Sequence, residues 1–427
     1  MKSILKSIIV SILTLEARLV LWRYHPRIIG VTGSVGKTSA KDAIALALQN
    51  TYLIKKSEKS FNSELGVPLT VLGCDTAWGS VGGWIKNVFK GLWLIIGFHT
   101  YPEVLVLEMG VDHPGDMERL VSWIHLDVAV VTHIGEEPVH VEFFETPEAL
   151  ADEKMKIVRG VKKDGAVVLT HDDPVVMRYR NDISQKVITF GFSEGASVRG
   201  GYYTITHDTY GTPTGIAAKI LIGSNVFPFA IQGTLGRQFV YPMIIAAAVA
   251  EALEVNMVDI LSALEGFTPP GGRMRLLSGM KETVLIDDTY NASPVAVKEA
   301  LATLQEIRVR GKKVAVLGDM RELGKRSGDL HRSVGRACAG VVDILVTIGS
   351  DARVLGEAAK EAGVKRVEAY GTSLEAAKIV PTLVESGDCI LVKGSQGIRA
   401  EHVVKALLAN PRDEKYLVRQ GREWEKR

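Results

Sequence analysis

The chain has 427 residues, and at about 150 residues per domain this length predicts three domains or two large ones. Hydrophobic residues make up 46% and charged residues 23%, which are the proportions of folded globular proteins and exclude a disordered chain. The 51 Lys and Arg against 49 Asp and Glu leave a net charge of +2, which argues against a general nucleic-acid binder. Three widely separated cysteines, Cys74, Cys338 and Cys389, argue against a disulfide framework and favour a reducing compartment.

The first element is an apolar N-terminal segment, residues 1–26. Lys6, Glu16 and Arg18 interrupt the uncharged run of about 18 or more residues that a transmembrane helix needs. No small-residue cleavage site of the signal-peptide kind follows it. We therefore predict an amphipathic helix that either packs on the protein or lies on a membrane surface with its Lys and Arg toward lipid phosphates.

A glycine-rich loop follows a short β-type run at 27–31. It reads GVTGSVGKTS at 30–39 and leads into a helical pattern at 40–49. A strand, a glycine loop and a helix in this order are the context of a phosphate-binding loop, in which Lys37 reaches the β- and γ-phosphates and Thr38 ligates Mg²⁺. Val31 stands where the common pattern has its first glycine, so the loop is a T-G-x-x-G-K-T-S variant. ATP use is the strongest single inference from the chain.

A second amphipathic segment, inserted at about 76–100 and centred on 78–98, has apolar residues at helical spacing. They are Trp84, Ile85, Val88, Phe89, Leu92 and Trp93. Lys86, Asn87 and Lys90 take the other face of the predicted helix. The apolar stripe either covers a neighbouring core element or the first helix, or it meets a bilayer interface, which Trp and Lys suit.

Two continuous apolar runs predict buried parallel strands. The run at 104–107 delivers Glu108 at its carboxyl end, where open α/β sheets bind their ligands. This carboxylate either holds Mg²⁺ or is a capping or ion-paired residue. The run at 128–131 is followed, past a short loop, by His140, which is either a structural residue or a metal ligand.

Lys154 lies on a helical stretch at 147–161, whose charges by themselves indicate a solvated face. Further on, the sequence PPGG at 269–272 indicates a domain boundary. Beyond it, the apolar runs VAVLGD, ILVTIGS and CILVKGS alternate with helical patterns. We predict an α/β protein with a central P-loop ATPase domain containing a parallel sheet at 27–267 and a Rossmann-like C-terminal domain at 268–427. The active site is expected in the cleft between them, with domain closure on substrate.

Seven segments in order along the chain resemble the Mur ligase family over roughly residues 28–410. They are TGSVGKTSAKD at 32–42, FNSELGVPLT at 61–70, LEMGVDHPGDM at 107–117, PVHVEFF at 138–144, IDDTYNASP at 286–294, LGDMRELG at 317–324 and LVKGSQG at 391–397. DDTYNASP, GDMRELG and VKGS favour the MurF-type branch, which joins D-alanyl-D-alanine to a UDP-N-acetylmuramoyl-tripeptide.

The resemblance implies a cytoplasmic, monomeric, ATP-dependent amide ligase of peptidoglycan precursor synthesis. The γ-phosphate passes to a muramyl-peptide carboxylate, and D-Ala-D-Ala or a similar amine attacks the acyl phosphate. Two alternatives remain open. One is the same chemistry on a lipid-linked or other non-UDP carboxylate at the inner face of the membrane. The other is a membrane-associated ATP-binding protein without catalysis.

The resemblance also implies roles for individual residues. Nucleotide contacts fall on Gly33, Ser34, Gly36, Lys37, Thr38, Ser39, Asn62, Arg273, Asp288 and Asn291. Thr38 and Glu108 hold one Mg²⁺, His140 helps hold a second, and Lys154 matches a lysine that the family carbamylates to an anionic Mg²⁺ ligand. Lys37, Glu108, His140 and Lys154 form the catalytic set. Lys393, Ser395 and Arg399 receive the incoming amine.

Three departures from the family pattern qualify these expectations. Where the family has a His-Asn pair that contacts adenine, the sequence reads GRQFVYP at 236–242, with Gln238, Phe239 and Pro242 in the motif. We therefore expect either a different base or a stacking contact from Phe239 or Tyr241. Gln396 stands where this branch has an arginine that binds the dipeptide carboxylate, unless Arg399 substitutes for it. Only 29 residues precede Gly30, where family members begin with a UDP-binding domain.

Overall fold

The computed structural model describes residues 2–58, 61–77, 80–135 and 143–421, with side chains from Ile8 onward. The α-helices of these residues are α1 (Lys2–Tyr24), α2 (Lys37–Leu48), α3 (Gly66–Leu72), α4 (Val81–Ile96), α5 (Asp116–Val121), α6 (Pro147–Met155), α7 (Pro174–Met177), α8 (Val240–Ala252), α9 (Met257–Leu264), α10 (Pro294–Glu306), α11 (Ser327–Ala337), α12 (Ala352–Glu361), α13 (Ser373–Leu383) and α14 (Glu401–Leu407). The strands are β1 (Arg27–Thr32), β2 (Ile54–Lys56), β3 (Val104–Glu108), β4 (Leu126–Val131), β5 (Val161–Thr170), β6 (Lys186–Gly191), β7 (Val198–His207), β8 (Pro213–Ile222), β9 (Asn225–Gln232), β10 (Arg275–Gly279), β11 (Thr283–Asp288), β12 (Lys313–Gly318), β13 (Ile344–Ile348), β14 (Arg366–Tyr370) and β15 (Cys389–Lys393).

The chain divides into two compact units. The first comprises Met1–Tyr202, Ala218–Phe229 and Val240–Phe267, and the second comprises Tyr203–Ala217, Ala230–Phe239 and Thr268–Arg427. Two segments that the sequence assigns to the central domain, 203–217 and 230–239, therefore group with the second unit. Hydrophobic periodicity along a strand shows which face is buried but not which unit covers that face.

The first sheet has the strand order β2-β3-β1-β4-β5-β6-β7-β8-β9. Its central strands are parallel, with Gly30 of β1 in register with Leu107 of β3 and with Ala129 of β4. Strands β1, β3 and β4 therefore end at the same edge of the sheet. Thr32 is the last residue of β1, and Glu108 is the last residue of β3. Continuous burial of β3 and β4 explains why their sequences are apolar without alternation.

The second sheet has the order β10-β11-β15-β12-β13-β14 and is parallel except for β10, which is antiparallel to β11. The runs VAVLG, ILVTI and CILVK form β12, β13 and β15, as their sequences predict. Parallel strands that alternate with helices confirm the predicted α/β fold class. Strands β11, β12 and β15 bring Asp288, Gly318 and Lys393 to one edge of this sheet.

Helix α1 packs on the first unit through one face and exposes the other. Leu13, Ala17 and Val20 are fully buried, and α1 contacts both α3 and α4. Tyr24 stacks on Tyr101, with 4.7 Å between ring centroids, and donates from its hydroxyl to the Leu94 carbonyl at 3.0 Å. Among the described residues, no helix combines the length and apolarity required to cross a bilayer.

The structure corrects the expected burial of α4. Its buried residues are Asn87 and Gly91, while Ile85, Phe89 and Trp93 of the apolar stripe are exposed. Asn87 is accommodated in the interior because its side-chain amide donates to the Asp75 carbonyl at 2.7 Å. Trp84 and Val88 of the same stripe pack against the buried core, and α4 contacts α1. The stripe therefore covers the core and the first helix on one side and is exposed on the other.

A glutamate lies buried between α1 and α4. Glu16 is 4% exposed, and its Oε2 has no hydrogen-bond partner within the described part of the chain. It fits because Gly91 has no side chain, since a Cβ there would lie 2.2 Å from Oε2. Burial raises the pKa of Glu16 from 4.5 to about 7.

The three cysteines are buried and unpaired. Burial raises the pKa of Cys74, and it raises the pKa of Cys338 and of Cys389 to about 12. These thiols are therefore protonated and shielded from solvent. Three unpaired cysteines agree with the sequence-based argument against a disulfide framework.

Replacement of Glu16 by glutamine is expected to flatten the pH dependence of stability. Because folding raises the pKa of this group from 4.5 to about 7, its contribution favours folding at low pH and is lost as pH rises toward 7, by about 3 kcal/mol. Urea denaturation at pH 5 and at pH 8 measures the difference between Glu16→Gln and wild type. Glu361→Gln, at an exposed position of α12, is the matched control. Equal pH slopes for wild type and Glu16→Gln would contradict the assignment.

Candidate active site

The phosphate-type loop connects β1 to α2 through two glycines with positive φ. Gly33 has φ 141° and Gly36 has φ 87°, and α2 begins at Lys37. A Cβ on Gly33 would lie 1.9 Å from Thr132 Oγ1, so only glycine fits here. The Lys37 ammonium donates to the Gly33 carbonyl at 2.8 Å. This hydrogen bond joins the first residue of α2 to the first half of the loop.

The loop is fastened to the end of β4. The Ser34 and Val35 amides donate to the His133 carbonyl at 2.8 and 3.1 Å, and Thr132 Oγ1 donates to the Val35 carbonyl at 2.8 Å. The Ser34 hydroxyl is buried without a partner in the parts of the chain that are described. Ser39 is buried in the first turn of α2. The loop backbone is therefore held from the sheet.

Glu108 meets Thr38 at the carboxyl end of β3. Thr38 Oγ1 donates to Glu108 Oε2 at 3.1 Å, and Glu108 is 3% exposed. Lys41 Nζ lies 3.8 Å from the same carboxylate oxygen and donates to the Ser57 carbonyl at 2.7 Å. Ser57 in turn accepts the Glu108 amide on its hydroxyl at 3.1 Å. Lys41, beside the carboxylate, and Ser57, on the main-chain amide, therefore position Glu108. The sequence predicts Glu108 as a site residue but not these two neighbours.

Lys154 is buried beside the loop, so the interpretation of a solvated face is wrong for this residue. It is 4% exposed, and its ammonium donates to the Gly33 carbonyl at 3.3 Å, the same oxygen that accepts from Lys37. Burial lowers the pKa of Lys154 to about 7, with a further lowering from the Lys37 charge and an opposing effect of Asp112. The helix that carries it, Pro147–Met155, continues as a 3₁₀ helix over Lys156–Gly160, so the predicted helical stretch is confirmed up to the start of β5 at Val161.

Asn62 lies next to the end of β3. Its carbonyl accepts the Gly110 amide at 2.7 Å, and a Cβ on Gly110 would lie 2.8 Å from the Asn62 side chain. Asn62 thus shares the sheet edge with Glu108. His140 lies outside the residues that the structure describes.

The segment expected to contact adenine forms a 3₁₀ turn, Arg237–Phe239, followed by α8. Phe239 is 4% exposed, so its ring offers no free face for stacking. Tyr241 is half-buried, and its hydroxyl donates to Asp172 Oδ2 at 2.7 Å. The Phe192 and Ser193 amides also donate to Asp172, and these bonds outweigh burial and lower the pKa of its carboxyl.

In the second unit, Asp288 and Lys393 form a buried ion pair. Their Oδ2 and Nζ atoms are 2.6 Å apart, on adjacent strands β11 and β15. Lys393 also donates to the Asn291 carbonyl at 2.9 Å, and Asp288 accepts the Met274 amide at 3.2 Å. Burial raises the pKa of Asp288, opposed chiefly by Lys393. Three predicted site residues are therefore in direct contact.

The remaining predicted residues of this unit surround that pair. The Arg273 guanidinium lies 4.3 Å from the centroid of the Tyr290 ring. Ser395 accepts the Arg321 amide on its hydroxyl at 2.9 Å and donates to the Ala292 carbonyl at 3.3 Å. Arg399, at φ 57°, contacts Glu401 with Nε to Oε1 at 3.3 Å.

Sequence reasoning misses the C-terminal residue that anchors this loop. Arg419 binds Glu401 through Nε at 2.9 Å and Nη2 at 2.8 Å, and donates from Nη1 to the Tyr290 carbonyl at 3.2 Å. Arg419 Nη2 also bonds the Thr289 carbonyl. No local motif indicates this role, because residue 419 lies about 130 residues along the chain from Thr289 and Tyr290. In contrast, Lys41 lies within the quoted TGSVGKTSAKD segment.

Known protein families match the parts of the chain that carry the two clusters of site residues, one in each unit. The Mur ligase middle domain matches residues 95–250, and the domain described as "Mur ligase, glutamate ligase domain" matches residues 272–396. UDP-N-acetylmuramoyl-tripeptide--D-alanyl-D-alanine ligase of Bacillus subtilis (strain 168) is 30% identical over 402 residues, 92% of this chain and 79% of the relative. The chain belongs to the Mur ligase family.

Further members agree with this membership. The Escherichia coli (strain K12) enzyme of the same name is 26% identical over 392 residues, 90% of this chain and 77% of its own. The crystal structure of MurF ligase from Thermotoga maritima in complex with ADP aligns with a TM-score of 0.73 and 26% identity, over 95% of this chain and 84% of that one. The reaction class of this Mur ligase is ATP-dependent, ADP-forming amide ligation.

Alanine at position 33 is expected to disable the nucleotide loop. The added Cβ clashes with Thr132 Oγ1 and the φ of 141° is unfavourable, so the loop must move. We expect Gly33→Ala to weaken ADP binding by about tenfold or more, measured by calorimetry. Gly211→Ala is the matched control, because Gly211 has φ 84° but open space around it. Equal ADP affinity in both variants would contradict this account of the loop.

Proposed function

We propose that this Mur ligase activates a muramyl-peptide carboxylate as an acyl phosphate and joins it to D-alanyl-D-alanine or a closely related amine. The observation that carries the proposal is the convergence of Lys37, Thr38, Glu108 and Lys154 at one loop and sheet edge. These four side chains come from three separate elements. Their meeting point has two ammonium groups on one carbonyl and one carboxylate beside a hydroxyl, which suits a bound polyphosphate.

The chemistry explains why these residue types are needed. A carboxylate resists attack by an amine because it has no good leaving group. The first step therefore transfers the γ-phosphoryl group to one carboxylate oxygen, which can then leave as phosphate when the amine attacks. Such a transfer needs neutralised charge and in-line placement more than covalent help. Lys37 at the start of α2 supplies positive charge to the phosphates. The helix N-terminus adds to that potential.

Mg²⁺ fits the pair formed by Thr38 and Glu108. Two adjacent ligands of an octahedral Mg²⁺ lie about 3.0 Å apart, given metal–oxygen distances of about 2.1 Å. The two oxygens here are 3.1 Å apart, Lys41 lies beside the carboxylate, and the Ser57 hydroxyl holds the Glu108 main-chain amide. When bound, the metal would neutralise charge on the transferring phosphoryl group.

We further propose that Lys154 is carbamylated. Its amine is buried beside the loop, and its lowered pKa leaves a substantial neutral fraction near pH 7. The neutral nitrogen attacks carbon dioxide, an N–C bond forms, and one proton leaves to solvent. The resulting anion would offset the Lys37 charge and supply oxygen ligands for a second Mg²⁺, together with His140.

In the second unit we propose that Arg273, Asp288 and Asn291 contact the nucleotide. Lys393, Ser395 and Arg399 would receive the amine substrate. The buried Asp288–Lys393 pair supports this division, because it orders the DDTYNASP loop beside the carboxyl end of β15. We also propose that the enzyme is a monomer of the cytoplasm that contacts the inner face of the membrane peripherally through residues 1–25 and 78–98.

A second candidate acceptor is a lipid-linked or other non-UDP carboxylate. The observation that favours it is the exposed apolar side of α1 and α4, which suits an enzyme that meets its substrate at a bilayer. The reaction and the proposed roles of the phosphate loop would be unchanged.

A substrate-resolved assay tests the proposed reaction. Release of ADP is measured with UDP-linked muramyl tripeptide plus D-Ala-D-Ala, and then with a lipid-linked muramyl tripeptide plus the same amine. We expect sustained turnover that requires both acceptor and amine, because the acyl phosphate formed in the first step is consumed, with release of phosphate, only when the amine attacks it. Omission of D-Ala-D-Ala is the control. Absence of amine-dependent turnover with every acceptor would overturn the ligase proposal.

Loss of the Lys154 amine is expected to abolish ligation. Lys154→Ala removes the proposed carbamate, and we expect turnover to fall by about a thousandfold while ADP still binds. Added short-chain carboxylate should restore part of the rate by occupying the vacated volume. Lys163→Ala, at an exposed position of β5, is the control. Full activity of Lys154→Ala would refute the carbamate.

A further inference from the structure

The exposed side of α1 is strongly apolar. Its large exposed side chains are spaced by four, three, four and three residues, which places them on one helix face. They are Ile8, Ile12, Leu15, Leu19 and Trp22, with exposures from 39% to 73%. The opposite face is the one that packs on the protein through Leu13 and Val20. Burial within the unit therefore does not account for these five residues.

Helix α4 has a similar exposed face, followed by an exposed phenylalanine. The exposed apolar residues of the helix are Val81, Ile85, Phe89, Leu92, Trp93 and Ile96, at 41% to 75% exposure. Phe98, just beyond the helix, is 99% exposed. Aromatic side chains with this much exposure are costly in water and common where proteins enter a bilayer interface.

The two helices lie side by side and run in the same direction. Glu16 fits against Gly91, and further along both helices Arg23 donates to the Gly97 carbonyl at 3.0 Å. The Arg23 guanidinium also lies 5.8 Å from the centroid of the Phe98 ring. The exposed sides of α1 and α4, together with Phe98, are called the apolar platform below.

The charges around the apolar platform have one sign. Arg18, Arg23, Lys86 and Lys90 are exposed on the two helices, whereas their single acidic residue, Glu16, is buried. A basic edge around an apolar, Trp-containing helix face complements anionic lipid headgroups over an acyl region. An apolar face with a basic edge fits helices that lie in the interface.

We propose that the apolar platform is a docking surface for an anionic lipid bilayer. Trp22, Phe89, Trp93 and Phe98 enter the headgroup and upper acyl region, and the four basic residues bind lipid phosphates. The proposed function includes a peripheral membrane contact, and this proposal specifies the lipid surface and the side chains that would form it. Docking itself depends only on the platform and not on catalysis.

Helix α3 links the docked helices to Asn62 at the edge of the first sheet. Helix α1 contacts α3, and α3 begins at Gly66, four residues after Asn62 at the edge of the sheet. A helix of seven residues is about 10 Å long, so a short rigid element separates the platform from the site. This consequence rests on the proposed function, because it explains how a membrane-bound acceptor could reach the phosphates.

Vesicle flotation tests the docking. The full chain is mixed with vesicles of phosphatidylcholine alone, or with a third phosphatidylglycerol, at low and at high salt. We expect binding to the anionic vesicles that weakens with salt, because exposed charges are screened. The double variant Phe89→Ser/Trp93→Ser should bind about tenfold or more weakly, and Arg18→Glu/Lys86→Glu should lose the dependence on phosphatidylglycerol.

Controls separate docking from folding and from catalysis. Leu374→Ser and Lys360→Glu change exposed residues of the second unit and should bind vesicles like wild type. Circular dichroism and ADP affinity must be unchanged in every platform variant. Ligase turnover with a water-soluble acceptor is measured without vesicles, so that a failed ligase assay and failed docking are distinguished.

Two results would overturn the proposal. One is the absence of binding to anionic vesicles at low salt. The other is a wild-type dimer in ultracentrifugation that Phe89→Ser/Trp93→Ser converts to a monomer with unchanged vesicle binding, because the platform would then be an interface between two copies.

Discussion

The site of the first unit depends on the absence of a side chain at Gly33. With φ 141° and Thr132 Oγ1 at the place of a Cβ, this residue lets the loop close against the end of β4. Its carbonyl then accepts both Lys37 and Lys154. One main-chain oxygen thus gathers cations from two helices, and a loop displaced from β4 would separate them.

Burial gives these groups their chemical character. Lys154 is kept from water and lies near another cation, and both effects lower the pKa of its amine to about 7. Glu108 is equally buried, but its carboxylate has Thr38 and Lys41 beside it. The same sheet edge therefore holds a lysine biased toward neutrality next to a carboxylate that is positioned by hydrogen bonds.

Much of the fold follows from the sequence, because a buried parallel strand reads as a continuous apolar run. β3, β12, β13 and β15 are predicted on that basis, and the glycine pattern places the phosphate loop. What periodicity does not provide is the identity of the covering surface. Thus α4 is correctly predicted as amphipathic, but only part of its apolar stripe packs against the core, Ile85, Phe89 and Trp93 are exposed, and Asn87 is inside. Lys154 looks like a surface charge, since its burial results from the distant Gly33 loop. The anchoring of Tyr290 by Arg419 is likewise long-range.

The buried thiols of Cys74, Cys338 and Cys389 make the native chain unreactive toward maleimide-type reagents. A cysteine introduced on the exposed side of α1 or α4 would therefore be the reactive thiol of the folded protein, without removal of any native residue. A fluorescent or spin probe attached there would report the polarity and depth of its surroundings directly. The interior position of the native cysteines thus makes each helix of the platform individually addressable by spectroscopy.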